Sequence, residues 1–288
     1  MKKFLTMLLI VAMALSITAC AAEKKEKKAS ELTSDVASTA QAPISQSETS
    51  GNKADLEIKT SDLDAKTIYD EAARKNSKLT SIDAKSTVTT NMSGAETSDT
   101  KLDLDIKIAD WNKESMRYLA VGSNTGMGET VEVSQYFEQG YYYDSYAGQK
   151  LKFARDPEDM MKRFKDSTLG AGFTSLDMKD ITVKEDGDCQ ILTFHVEASK
   201  LDAYLDDLMS RMELDLDGVN CTVNEAYGEA VVNKDGFFIH TKFRLSLEIT
   251  TRGNTSIMVK DMETSYNNPG QEVEVTPPDL EGYNEVEQ

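Results

Sequence analysis

The chain has 288 residues, 39% of them hydrophobic, 28% charged and 7% aromatic. That composition suits one globular domain with polar extensions and excludes both a wholly disordered chain and a multi-span membrane protein. Lys and Arg total 32 against 50 Asp and Glu, a net −18 that repels phosphate backbones and argues against nucleic-acid binding. Two His and one Trp leave little material for imidazole catalysis, multi-His metal sites or aromatic sugar platforms.

Lys2 and Lys3 precede an apolar run from Phe4 to Ile17, too short to span a bilayer comfortably but suited to an export signal. The run ends in Ile17-Thr18-Ala19-Cys20, which resembles the bacterial lipobox. Cleavage before Cys20 would make its thiol the lipidated N-terminus, and more than one acyl chain holds a protein stably on a membrane without a transmembrane helix. Loss of residues 1–19 removes two lysines and leaves 30 basic against 50 acidic residues, a net −20. The expected address is the outer face of the cell membrane.

From residue 20 to 62 the chain is rich in Ser, Thr, Ala, Lys and Glu and nearly free of large apolar residues, the composition of a flexible stalk. The α+β body is expected over residues 63–276, followed by a short, loosely held acidic tail over residues 277–288. Leu63 to Leu79 carries Ile68, Tyr69, Ala72 and Ala73 on one helical face. Strand patterns follow at Asp83 to Met92, Lys101 to Asp110, Met116 to Val121, Val131 to Phe137, Tyr141 to Tyr146 and Leu151 to Phe153. The second is the clearest, with Leu102, Leu104, Ile106 and Ile108 opposed to Asp103, Asp105 and Lys107. Gln139-Gly140 and Ala147-Gly148 supply turns.

Asp156-Pro157-Glu158 reads as a helix start, with Met160, Met161 and Phe164 to bury, and residues 168–175 read as a loop. Cys189 to Val196 returns to strand. A helix from Ser199 to Met212 aligns Leu201, Tyr204, Leu205, Leu208, Met209 and Met212. Three longer strands close the body, at Cys221 to Val232, Phe237 to Thr250 and Thr255 to Met262, with a turn at Lys234-Asp235-Gly236. The order predicts helices laid on one face of a large antiparallel sheet.

Chemistry-bearing motifs are sparse. Glu213 to Gly218 places carboxylates at alternate positions, yet Asn224 stands where a calcium loop needs a bidentate Glu, so a turn with solvated charges is the reading. Cys189 and Cys221 flank the 199–212 helix and either bridge or stay as separate thiols. His195 and His240 sit inside strand patterns and read as structural. No nucleophile elbow, zinc-protease, P-loop or dinucleotide motif occurs, so no enzyme activity, metal or cofactor is expected. The densest aromatic stretch holds Tyr136, Tyr141 and Tyr143. With Met160, Met161, Phe164, Leu205, Leu208 and Met212 these are the candidate lining of an apolar cavity, while core packing accounts for most of them on the ordinary reading.

The lipobox, the polar stalk, the helix running into LTSIDAKSTVTTNM and the aromatic meander YFEQGYYYDSYAGQKLKF together resemble uncharacterised lipoproteins of Gram-positive bacteria. Their architecture is similar to the LolA/LolB and LppX/LprG lipoprotein-carrier superfamily, and the resemblance covers about residues 64 to 266. It implies a half-barrel, a strongly curved antiparallel sheet with helices on its concave face around a space for acyl chains. The functional expectation is a non-catalytic, lipid-anchored extracytoplasmic protein that binds a lipid or lipid-linked molecule. The alternative is a displayed interaction module whose acidic surface binds a basic protein or wall component.

Overall fold

The computed structural model describes residues 53–95, 97–111, 113–160, 174–197, 199–201, 205, 219–251 and 253–286. Helix α1 spans Lys53–Asn76 and is followed by β1 (Ile82–Gly94), β2 (Ser98–Ala109), β3 (Arg117–Gly126), β4 (Glu129–Glu138), β5 (Tyr141–Tyr146) and β6 (Gln149–Ala154). A 3₁₀ turn at Ser175–Asp177 leads into β7 (Met178–Asp186), β8 (Cys189–Val196), β9 (Val219–Asn233), β10 (Phe238–Thr251), β11 (Asn254–Tyr266) and β12 (Asn284–Glu285). Residues 157–160, 199–201 and 205 are helical.

All twelve strands belong to one open, curved sheet, in the order β12-β6-β5-β4-β3-β2-β1-β11-β10-β9-β8-β7. Two meanders, β1 to β6 and β7 to β11, are stitched together where β1 pairs antiparallel with β11, with Thr90 opposite Lys260. Among the described strands only the β12–β6 pair is parallel. Tight hairpins follow from the sequence: Gln139 and Gly140, like Ala147 and Gly148, both adopt positive φ, the backbone twist a two-residue connection needs. The chain leaving β6 on one wing must cross the molecule to reach β7 on the other, and it carries the buried Met160 on the way.

Period-2 alternation decides the two faces. On β2, Leu102, Leu104, Ile106 and Ile108 are buried, and on β10 Phe243, Leu245, Leu247 and Ile249 are buried. The odd positions of β1, β2 and β11 carry surface pairs such as Lys85–Asp105 at 2.8 Å, and Asp261 meets Arg244 of β10 at 3.2 Å. Helix α1 lies on the apolar inner face because Ala65, Tyr69, Ala72 and Asn76 form one buried stripe at helical spacing. Tyr69 meets Phe194 edge-on at 5.6 Å and Phe238 at 5.2 Å. The Asn76 side-chain oxygen accepts the Phe238 N–H at 3.1 Å, and Lys75 donates to the Asp235 carbonyl at 2.6 Å. These contacts fix the helix to the wing formed by β7 to β10.

Several expectations change. The helix begins at Lys53, inside the segment read as stalk, because its Ala, Leu, Glu and Lys are good helix formers. Strand β7 was not expected, since a register shift between Lys179 and Thr182, with Asp180 at φ 52°, puts Met178 and Ile181 both inward at a spacing of three. The C-terminal segment is docked: Val275 is buried, Lys150 donates to the Glu281 carbonyl at 2.9 Å, and β12 extends the sheet beside β6. The residues 168–173 and 213–218 lie outside the described residues, as does Cys20.

Candidate functional site on the inner face

Every strand from β1 to β11 contributes apolar side chains to a single cluster on the inner face. Its centre is the β2–β1–β11–β10 stretch, where Leu102, Val88, Met262 and Phe243 follow one another across four hydrogen-bonded strands. Met92, Met258 and Leu247 form a parallel row. Met178 and Met258 are both buried in this cluster. Met160, Leu201 and Leu205 join it from the helical residues. Such a surface of flexible thioethers and branched side chains suits an irregular apolar ligand.

Among the described residues, two polar islands on this face hold buried atoms without partners. On β3 to β5, Gln135 and Asp144 are direct cross-strand partners, the Tyr118 hydroxyl donates to the Gln135 side-chain oxygen at 3.2 Å, and the Asn124 amide donates to the Tyr146 hydroxyl at 3.4 Å. Among the described residues, one oxygen of Asp144 and the side-chain oxygen of Asn124 are buried with no hydrogen-bond partner. Burial raises the Asp144 carboxyl to about 6 although the Gln135 side chain beside it favours ionisation. The second island is Lys260 on β11 with Thr90 on β1. Lys260 is 9% exposed and burial lowers its ammonium pKa, while the Thr90 hydroxyl is buried and unpartnered among the described residues.

The candidate residues separate into three sets. Met160 and Leu205 are inner-face residues. Tyr136, Tyr141 and Tyr143 are not: successive strand residues alternate in direction, and it is Phe137, Tyr142 and Tyr146 that point inward. Tyr136 packs with Ala109 and Val275 in a separate outer cluster joined by Tyr143 and Leu280. Tyr143 meets Tyr283 edge-on at 5.4 Å, and the Lys152 ammonium lies 3.9 Å from the Tyr141 ring centre. The aromatic ladder is thus the seat of the C-terminal segment. Met161, Phe164, Leu208 and Met212 fall outside the described residues.

Cys189 and Cys221 are both free. Cys189 pairs with Asn233 at one end of β9, and Cys221 stands near the other end, opposite Ile249. About twelve residues of extended strand, roughly 40 Å, separate them, far beyond the ~7 Å that a disulfide spans. The bridge left open by the sequence is therefore not made. His240 sits on the outer face with Nδ1 3.0 Å from Ser265 Oγ and Nε2 3.3 Å from Glu263, and His195 packs beside Tyr227. Among the described residues no group of three or more His, Cys, Asp or Glu is placed to hold a metal ion.

Lys260, Thr90 and Asp144 escaped the sequence reading. In TSIMVKDM both alternating sets contain apolar residues, Ile257 and Val259 against Met258 and Met262, so the pattern alone does not say that Lys260 points inward. The pairing with β1 and β10 does. Asp144 is hidden in the same way inside YYYDSY.

An open curved sheet with one apolar, helix-bearing face places the chain in the half-barrel α+β class. Within it, the chain belongs to DUF6612, a family of unknown function whose model matches residues 64–279. No curated protein matches the chain. Similar solved structures include the crystal structure of the Mycobacterium tuberculosis lipoprotein LppX, 13% identical, with a TM-score of 0.39 over 75% of this chain and 100% of that one. LprF from Mycobacterium bovis is 12% identical, with a TM-score of 0.39 over 75% of this chain and 97% of that one. A DUF1329 family protein from Desulfovibrio piger is 8% identical, with a TM-score of 0.21 over 71% of this chain and 93% of that one.

Proposed function

We propose that this protein is a non-catalytic extracytoplasmic lipoprotein, anchored through an acylated Cys20, that holds a hydrophobic ligand such as a lipid on the inner face of its sheet. The observation that carries the reading is the single apolar cluster on the inner face, to which eleven consecutive strands of an open sheet contribute. A closed barrel or a sheet-on-sheet sandwich would bury such a face against itself. In an open sheet the face packs instead on helices or on a ligand, and side chains rich in Met and branched residues suit acyl chains.

The N-terminal pattern supports the anchor. No helix among the described residues is long and apolar enough to cross a membrane, so acyl chains on Cys20 supply the attachment in this reading. The sequence carries no assembled acid, base and nucleophile, and neither polar island resembles a catalytic set.

The test is native mass spectrometry, with solvent extraction, of the protein purified gently from its own host. The expected result is one class of lipid at about one copy per chain, released by solvent, in addition to acyl groups that remain covalently bound at Cys20. A ligand-free mass together with failure to take up added lipids would overturn the binding reading, and an unmodified Cys20 would overturn the anchor.

A further inference from the structure

We propose that Lys260 and Thr90 form an oxyanion subsite on the inner face, which takes the carboxylate or phosphate head of an acyl-chain amphiphile. The inference rests on the reading of that face as a ligand-binding surface and adds the chemical class of the ligand.

Lys260 and Thr90 are direct partners across the β1–β11 pairing, which places their Cβ atoms about 5 Å apart on one face. Both are buried, at 9% and 3% exposure. On the same face Leu245 stands beside Lys260 on β10, Met258 and Met262 lie two residues away on either side, and Thr100 of β2 is opposite Thr90. A lysine in such surroundings needs an anion, and among the described residues it has no ion pair or hydrogen-bond partner. Thr90 Oγ1 is likewise a buried hydroxyl without a partner, as is Ser98 Oγ on the neighbouring strand. Burial lowers the Lys260 pKa with no opposing charge to hold it up.

The carboxylates of β1 and β11, such as Asp83 and Asp261, stand at odd positions on the outer face and leave the ammonium to an incoming group. An ammonium and a hydroxyl carried by directly paired residues on one face can form charge-assisted hydrogen bonds to a carboxylate or phosphate oxygen. The apolar rows on both sides receive the chain attached to it. Asp144, the acidic group of the other island, lies on β5, with four strands between β5 and β11 in the sheet order.

The experiment titrates oleate, monoolein and inorganic phosphate into the chain from residue 20 onward carrying Cys20→Ser, which keeps every described residue. The expected result is that oleate binds roughly tenfold or more tightly than monoolein, the range of a hydrogen bond to a charged group. Lys260→Met should erase that preference while monoolein affinity stays within about twofold, which also reports an intact fold. Thr90→Val should lower the preference by a smaller factor. Equal binding of oleate and monoolein, or a preference unchanged in Lys260→Met, overturns the subsite alone. Binding of neither amphiphile overturns the underlying reading as well. Displacement of oleate by millimolar phosphate would show a free anion as the occupant and overturn the amphiphile assignment.

Discussion

Replacing Gly122 with alanine is expected to cost the protein its fold. Gly122 lies within β3, opposite Leu104 of β2 and Val133 of β4. A Cβ at this position would stand 1.8 Å from the Asp103 carbonyl oxygen, 2.8 Å from its carbon and 3.0 Å from the Leu104 Cα. All three are backbone atoms of the neighbouring strand, so no rotamer change relieves the clash, and the β2–β3 ladder itself must open. Glycine within a strand commonly marks such a close backbone approach. The expected destabilisation exceeds about 4 kcal/mol, a large part of the roughly 5–15 kcal/mol that holds a typical domain together.

Thermal melting followed by circular dichroism checks this, with Gly122→Ala giving no cooperative transition or a greatly lowered one. Gly126→Ala is the control, because the atom nearest its added Cβ is the Thr100 methyl at 3.2 Å, which moves by side-chain rotation. Its cost should stay below about 1 kcal/mol. Equal behaviour of the two variants would contradict the account of how β3 is held against β2.

Asp144→Asn is expected to stabilise the protein at neutral pH. The carboxyl titrates near 6 in the folded chain against 3.8 when exposed, chiefly because it is buried. Between those two values the folded state binds more protons than the unfolded one, so this group's contribution to stability declines as pH rises through the window. Above pH 6 the full penalty remains. Two units correspond to about 3 kcal/mol, and an asparagine of the same shape escapes it while still accepting from Gln135. Urea unfolding at pH 7.5 should show a gain of about 2–3 kcal/mol for Asp144→Asn, falling towards zero near pH 4. Other titrating groups, including the stabilised Asp103 and Asp177, cancel in the comparison of the two proteins at each pH. No gain at pH 7.5, or the same gain at both pH values, would contradict a buried, largely unsatisfied carboxylate.

The parts of the fold legible in the sequence are those where one face alone is apolar. Strand β2 alternates leucine and isoleucine with charge, and the four residues expected inward are all buried. Strands β5 and β8 begin and end where the residue pattern puts them, β5 between the turns at Gln139-Gly140 and Ala147-Gly148. Legibility fails where both faces are covered. In YYYDSY every position but two is aromatic, because one side lines the interior and the other seats the C-terminal segment, so alternation carries no sign. A one-residue error in direction then sends every side chain to the wrong face, which is why an inward direction for Tyr136, Tyr141 and Tyr143 fails. The bulge at Asp180 erased the period of β7, and the two-residue β12 has none to read. Lys260 and Asp144 could be placed only once strand order was known, since long-range pairing turns a polar residue in a strand into a buried one.

The proposed seat of the acyl chain is the inner face of the open sheet. Photo-crosslinking with a diazirine-bearing fatty acid, followed by peptide mapping, tests it most directly. The expected result is saturable labelling, competed by unlabelled oleate, in peptides of β1, β2, β10 and β11 at inward positions such as Val88, Leu102, Leu245, Met258 and Met262. Labelling confined to the outer aromatic seat of Tyr136, Tyr143 and Tyr283, or labelling that does not saturate, would contradict it.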